Sequence, residues 1–185
     1  PQTSGEMEIS GLEAEVQVIR DGTGIPHIYA DTMHDLMLAQ GFVHAQDRFF
    51  EMDVRRHATA GRLAELFGAD AVESDLVVRT LGWRDVAEQE LTMLAPATRT
   101  ALDAYAEGVN AYLDGRSGSD IALEYTLLGF TGLDYAPEGW SAVDSIAWLK
   151  AMAWDLRGNL EEEIGRALTT AAVGPDKAAE LYPAY

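Results

Sequence analysis

The chain has 185 residues, 48% hydrophobic and 24% charged, with 13 Lys and Arg against 31 Asp and Glu for a net charge of -18. That balance repels polyphosphate and anionic lipid headgroups, which excludes nucleic-acid and membrane-surface roles early. Zero cysteines exclude disulfide and thiolate chemistry, and no apolar run is long enough to span a bilayer. A single domain of this size hides about 70% of its unfolded surface, so neither a disulfide nor a metal is required merely to fold. The absence of cysteine leaves the compartment open, and an acidic chain has many oxygen ligands to offer calcium.

Residues 1–13 are polar and patternless and read as a flexible lead-in. Pro1-Gln2-Thr3 has neither an initiator Met nor a basic-then-apolar leader, and reads as the trimmed start of a mature chain. Over 14–30 the pattern is that of strands. Val16 and Val18 alternate with polar neighbours, Asp21-Gly22-Thr23-Gly24 supplies turn chemistry, and Ile25-Pro26-His27-Ile28-Tyr29 runs extended again. A lone hairpin is marginal in water, so its missing strands come from elsewhere or it lies on helices.

From Thr32 to residue 181 the pattern is mostly helical. Thr32-x-x-Asp35 is a capping box opening a helix to about residue 56, with Leu36, Ala39, Phe42, Val43, Gln46, Phe49 and Phe50 on its inner face. Further helices are expected over 62–67, stopped by Gly68, over 75–81, capped by Ser74, and over 85–94. Pro96 suits the first turn of a strong helix to about residue 113. Residues 114–119 are linker-like, and 121–140, interrupted by Gly129, Gly132, Pro137 and Gly139, reads as a packed loop. Ser141-x-x-Asp144 is a second capping box, opening a helix to about residue 157; helices follow over 161–172 and 176–181, and Tyr182-Pro183-Ala184-Tyr185 ends the chain without a polar tail.

No chemistry of its own stands out. His44 and His57 fall about 220° apart around a helix, too far for one metal. Asp53 and His57 share a face at i, i+4 and read as a surface pair. No HExxH, EF-hand, Walker or GxSxG motif is present, and Gly22-Thr23-Gly24 is a turn rather than a dinucleotide fingerprint. Glu161-Glu162-Glu163 reads as a solvated helix N-terminus, and Trp148, Met152 and Leu156 as an apolar stripe whose default is core packing.

One stretch is more specific. Gly41-Phe42-Val43-His44-Ala45-Gln46-Asp47-Arg48-Phe49-Phe50-Glu51-Met52-Asp53, followed by Arg55-Arg56 and Ala60-Gly61-Arg62-Leu63-Ala64-Glu65-Leu66, resembles the α subunit of the penicillin acylase family. Arg20-Asp21 with Gly24-Ile25-Pro26-His27-Ile28-Tyr29-Ala30, and Ala104 to Tyr112, extend the resemblance, which runs from about residue 16 to 172.

The resemblance implies a mainly α chain with a short N-terminal hairpin, contributing to an αββα N-terminal nucleophile hydrolase fold that a β chain from the same precursor completes. That β chain would supply an N-terminal serine nucleophile, leaving no catalytic residue here, and the enzyme would cleave small N-acyl amides in the periplasm or outside the cell. It further implies that Met152 and, one turn on, Leu156 line the acyl pocket, with Trp154 a neighbour. Asp155 stands where the penicillin G enzymes have an arginine, which argues against carrying over their acid preference. Glu163, or Glu162, is implied as one ligand of a structural calcium shared with the β chain. His44, Gln46, Asp47 and Arg48 are expected to be architectural, partly buried and internally hydrogen-bonded. Penicillin, N-acyl-homoserine lactone, lipopeptide and glutaryl-cephalosporin acylases remain open alternatives. So do a free-standing helical binding module, which would elute as a lone 20 kDa species, and a self-sufficient triad hydrolase, active without a partner.

Overall fold

The structure, a computed structural model, describes residues 4–182. The readings made on residues 1–3 and 183–185 lie outside it. The chain divides into two compact units, Pro1–Lys150 and Ala151–Tyr185. The expected class, mainly helical with one hairpin near the N-terminus, is what is observed.

In the first unit β1 (Gln17–Arg20) and β2 (Pro26–Tyr29) pair antiparallel, Gln17 opposite Tyr29 and Arg20 opposite Pro26. Asp21 builds the turn. Its Oδ1 accepts from the Thr23 amide and hydroxyl and from the Ile25 amide, while Gly24 takes φ +86°, where a Cβ is disfavoured. Among the described residues no third strand joins the sheet. The hairpin is instead fixed to a helix through Arg20, whose guanidinium donates to both carboxylate oxygens of Asp47 and to Gln46 Oε1.

That helix, α1 (Met33–Ala60), opens where expected, with the Asp35 amide donating to Thr32 Oγ1. It outlasts the expected end at residue 56 by a turn, because the stop is Gly61 at φ +63°, with the Gly61 and Arg62 amides donating back to Ala58 and His57. Its backbone breaks helical geometry at Arg48. Asp35, fully buried, accepts from the Glu13 and Ala14 amides, which ties the lead-in to the start of α1 and lowers its own pKa.

Helices α2 (Ala64–Phe67), α3 (Val72–Leu81) and α4 (Trp83–Leu91) follow, α2 and α3 separated by a 3₁₀ turn over Gly68–Ala71. Ser74 therefore lies inside α3 rather than capping it, and its neighbour Asp75 reaches back to the start of α2, its two oxygens accepting from the Leu63 and Ala64 amides at 2.8 Å each. Helix α5 (Pro96–Leu113) has the bounds its sequence predicts. Two short helices, α6 (Gly118–Ile121) and α7 (Leu123–Gly129), occupy stretches that read as linker and loop. The start of α8 (Ala142–Leu156) uses the second capping box, Asp144 Oδ2 accepting from the Ser141 amide and hydroxyl.

The core of this unit is the crossing of α1 and α5. Phe42, Ala45 and Phe49 pack against Val109 and Tyr112, with Ile121 and Tyr125 of α6 and α7 closing one side. Two glycines set the crossing distance. A Cβ on Gly41 would stand 2.1 Å from the Tyr105 carbonyl oxygen, and one on Gly108 would stand 1.8 Å from that of Leu38.

The second unit holds the last turn of α8, then α9 (Leu160–Val173) and α10 (Pro175–Leu181). Within it Arg166 lies over the Tyr182 ring and donates to the Tyr182 carbonyl at 3.3 Å. Leu160, Ile164 and Leu168, spaced by four, leave an exposed apolar stripe along α9. No helix of the described residues is long and apolar enough to cross a membrane.

Candidate acyl-binding wall and polar knot

The residues singled out from the sequence fall around the end of α8 and the start of α9. Met152 and Leu156 are one turn apart and share a face, as their i, i+4 spacing dictates. They are 37% and 72% exposed, so within this chain the stripe is not core. Trp154 stands on another side of the helix, about 200° from Met152. There the Arg157 guanidinium stacks over its ring at 3.4 Å and donates to its carbonyl oxygen at 2.6 Å. The Arg157 clamp was absent from the sequence reading, although the i, i+3 spacing of Trp and Arg at a helix end was a readable signal.

Glu163 lies in the first turn of α9, exposed, with Asn159 Nδ2 donating to its Oε1 at 2.7 Å. Glu161 and Glu162 are exposed beside it, as expected for acids at a helix N-terminus. A carboxylate with a free second oxygen, next to an amide side chain, is a hard-oxygen donor set of the kind calcium takes, but an incomplete one. Among the described residues a three-donor group does occur at Glu13, His34 and Asp35, in the other unit. There the Asp35 oxygens already serve the Glu13 and Ala14 amides.

The polar quartet is less buried than expected. Only Gln46 is half-buried; His44, Asp47 and Arg48 are exposed. Three of the four are nevertheless hydrogen-bonded, His44 Nδ1 to the Tyr105 hydroxyl at 3.0 Å and Gln46 and Asp47 to Arg20.

Asp53 and His57 are not a surface pair. Both are fully buried, at the centre of a polar knot. Asp53 Oδ1 accepts from Arg56 Nε and Nη2, and Oδ2 accepts from the hydroxyls of Tyr125 and Tyr135 at 2.7 and 2.8 Å. Burial alone would raise the Asp53 pKa; the His57 and Arg56 partners and the two hydroxyls outweigh it and hold it at about 2. Arg56 Nη1 donates to the carbonyls of Glu138 and Gly139, fixing the segment that leads into α8. At the rim Arg62 bridges Glu65 and Glu138 with bonds of 2.7 to 3.0 Å. The partners of Asp53 come from about 70 and 80 residues away, in the stretch that read as a loop, so i, i+4 spacing alone could not place it inside.

The mainly helical arrangement is shared with a chain of the thermostable penicillin G acylase from Alcaligenes faecalis. The TM-score is 0.70 at 28% identity, and the match covers 91% of this chain and 89% of that one. A penicillin amidase family model matches residues 15–185, and the chain belongs to that family. It is 41% identical to the penicillin acylase 2 proenzyme of Pseudomonas sp. (strain SE83), over 98% of this chain and 22% of that protein. It is also 37% identical to the acyl-homoserine lactone acylase QuiP of Pseudomonas aeruginosa, over 100% of this chain and 21% of that protein. The chain thus spans about a fifth of the length of the curated relatives it matches.

Proposed function

We propose that this chain is the smaller, helical subunit of an amide-cleaving acylase whose reactive groups lie on a larger β chain of the same precursor. The observation that carries this is a mismatch of lengths. The chain spans about a fifth of its curated relatives, one of them named a proenzyme, yet it corresponds to a solved acylase chain over 89% of that chain. The hairpin edges and the Leu160, Ile164 and Leu168 stripe are surfaces that such a companion would cover, completing the αββα fold. In the reaction the family resemblance implies, the hydroxyl of a β-chain N-terminal serine attacks the amide carbonyl. Its proton passes by way of the serine's α-amino group to the departing amine, and water then hydrolyses the acyl-enzyme ester. Expression of the full reading frame tests this. A serine should begin the larger fragment, the two fragments should co-purify from the periplasm or medium, and amide hydrolysis should require both. Activity from this chain alone would overturn it.

Met152 and Leu156 supply one wall of the acyl pocket in this reading, with Trp154, clamped by Arg157, as a less direct neighbour. Met152→Ala is expected to change the ratio of kcat/KM between a short aromatic and a long aliphatic acyl donor by about tenfold, the scale of one or two methylene contacts in an apolar pocket. An unchanged ratio in a folded two-chain enzyme removes the assignment. Two substrate classes divide the relatives, penicillins and acyl-homoserine lactones. Asp155 argues against carrying over a penicillin G preference, and the same assay run with both substrates decides between the two classes.

Glu163, with Asn159 beside it, would contribute to a structural calcium whose remaining donors belong to the β chain; Glu162 is its nearest alternative. The ion would join chains rather than activate water. Glu163→Gln is expected to weaken calcium binding by the two-chain protein at least about tenfold in calorimetry, one carboxylate charge being lost from the site. Equal affinity in the variant rules Glu163 out.

A further inference from the structure

The geometry points to a proton-operated clasp at His57, which as an imidazolium fastens residues 130–141 and the Glu65 turn to α1 and which loosens both on losing its proton. Tyr125 and Tyr135 have one hydroxyl proton each, and both hydroxyls lie within 2.8 Å of Asp53 Oδ2, an ionised carboxylate that can only accept. Tyr135 therefore turns its lone pairs toward His57 Nε2, 3.5 Å away, and the nitrogen must bring the proton to that contact. His57 Nδ1 lies 2.8 Å from the Asp53 carbonyl oxygen, another pure acceptor, so it carries a proton as well. With acceptors at both nitrogens and Glu65 Oε2 at 3.7 Å from Nε2, the ring is satisfied in its doubly protonated form.

The charges agree. The groups facing His57 are Asp53 and Arg56 on α1, Glu65 on α2, and Tyr135 and Glu138 on the segment before α8, with Arg62 bridging the two glutamates. Three carboxylates meet two guanidiniums, and the sum is neutral only when His57 is charged. Deprotonation forces a choice on Tyr135. Its single proton can stay on Asp53, leaving Nε2 unsatisfied, or swing to Nε2, leaving Asp53 one donor short. Either way Glu65 is left with Arg62 as its one cation, and the segment carrying Tyr135 is held less tightly.

Burial by itself would depress the pKa of His57, but the Asp53 side chain and carbonyl outweigh it and raise it above the ordinary value of 6.5. The stabilisation is thus fully present below pH 6.5 and lost as pH rises through the folded-state pKa. Hydrogen–deuterium exchange of the full-length gene product between pH 5.5 and 9, corrected for intrinsic rates, tests the clasp. Peptides covering residues 130–141 and 62–67 should exchange about fivefold faster above the transition. The step should vanish in His57→Gln. Should that variant not fold, Tyr135→Phe keeps the imidazole and its Glu65 contact but removes the hydroxyl, and should flatten the step over 130–141. A flat wild-type profile, a step that survives in folded His57→Gln, or one that survives over 130–141 in Tyr135→Phe, overturns the proposal.

Discussion

Gly108→Ala is expected to cost at least about 3 kcal/mol of stability, read as a fall in the urea midpoint and soluble yield of the full-length product. The added methyl would stand 1.8 Å from the Leu38 carbonyl oxygen and 2.9 Å from the Phe42 amide nitrogen, and neither is a flexible side chain that can turn away. Relief requires α1 and α5 to separate, which strips contact from Phe42, Phe49, Val109 and Tyr112 together. Gly41→Ala should act in the same direction from the other side of the crossing, against Tyr105. Gly22→Ala is the control: nothing lies within 4 Å of the added atom, and stability should change by less than about 0.5 kcal/mol. A Gly108→Ala protein with a wild-type midpoint would mean that the crossing is looser than described.

The second large effect is expected from Asp53→Asn, at about 3 to 5 kcal/mol by the same denaturation measurement. The substitution keeps the shape and removes the charge, leaving Arg56 and His57 buried without their counter-ion and two tyrosine hydroxyls competing for one acceptor. Tyr125→Phe should cost less, about 1 to 2 kcal/mol, because Asp53 keeps its other donors. The acid side follows from linkage. A carboxyl moved from 3.8 to about 2 on folding contributes stability above pH 3.8 that is lost as pH falls toward 2, on the order of 2 kcal/mol in all. If Asp53→Asn proves no worse than Tyr125→Phe, the knot is solvated and not buried.

Local signals in the sequence survived into the structure where their cause was local. The Thr32 cap, the Ser141–Asp144 pair and the bounds of α5 from Pro96 to Leu113 lie where they were read, although Asp35 gives its carboxylate to the Glu13 and Ala14 amides instead of closing the Thr32 box. Long-range placements were not legible. Ser74 was the better local cap, but Asp75 reaches back to the Leu63 and Ala64 amides and takes the role for a different helix. Tyr125 and Tyr135 read as loop aromatics because glycines and Pro137 dominate their surroundings, yet they are what draws Asp53 inside. The proposed wall residues were singled out only through the family motif. Their periodicity suggests core, and on this chain Met152 and Leu156 face outward.

The near-neutral sum of the knot also says where the protein's charge resides. Asp53, Glu65 and Glu138 are matched within the knot by Arg56, Arg62 and the charged His57, so a surplus of 17 negative charges, 28 acids against 11 bases, is carried by the rest of the chain. Added electrolyte screens repulsion among those outer acids while barely reaching the buried Asp53, Arg56 and His57. Ionic strength should therefore tighten this acidic chain, and the proposed companion chain gains most by bringing basic groups.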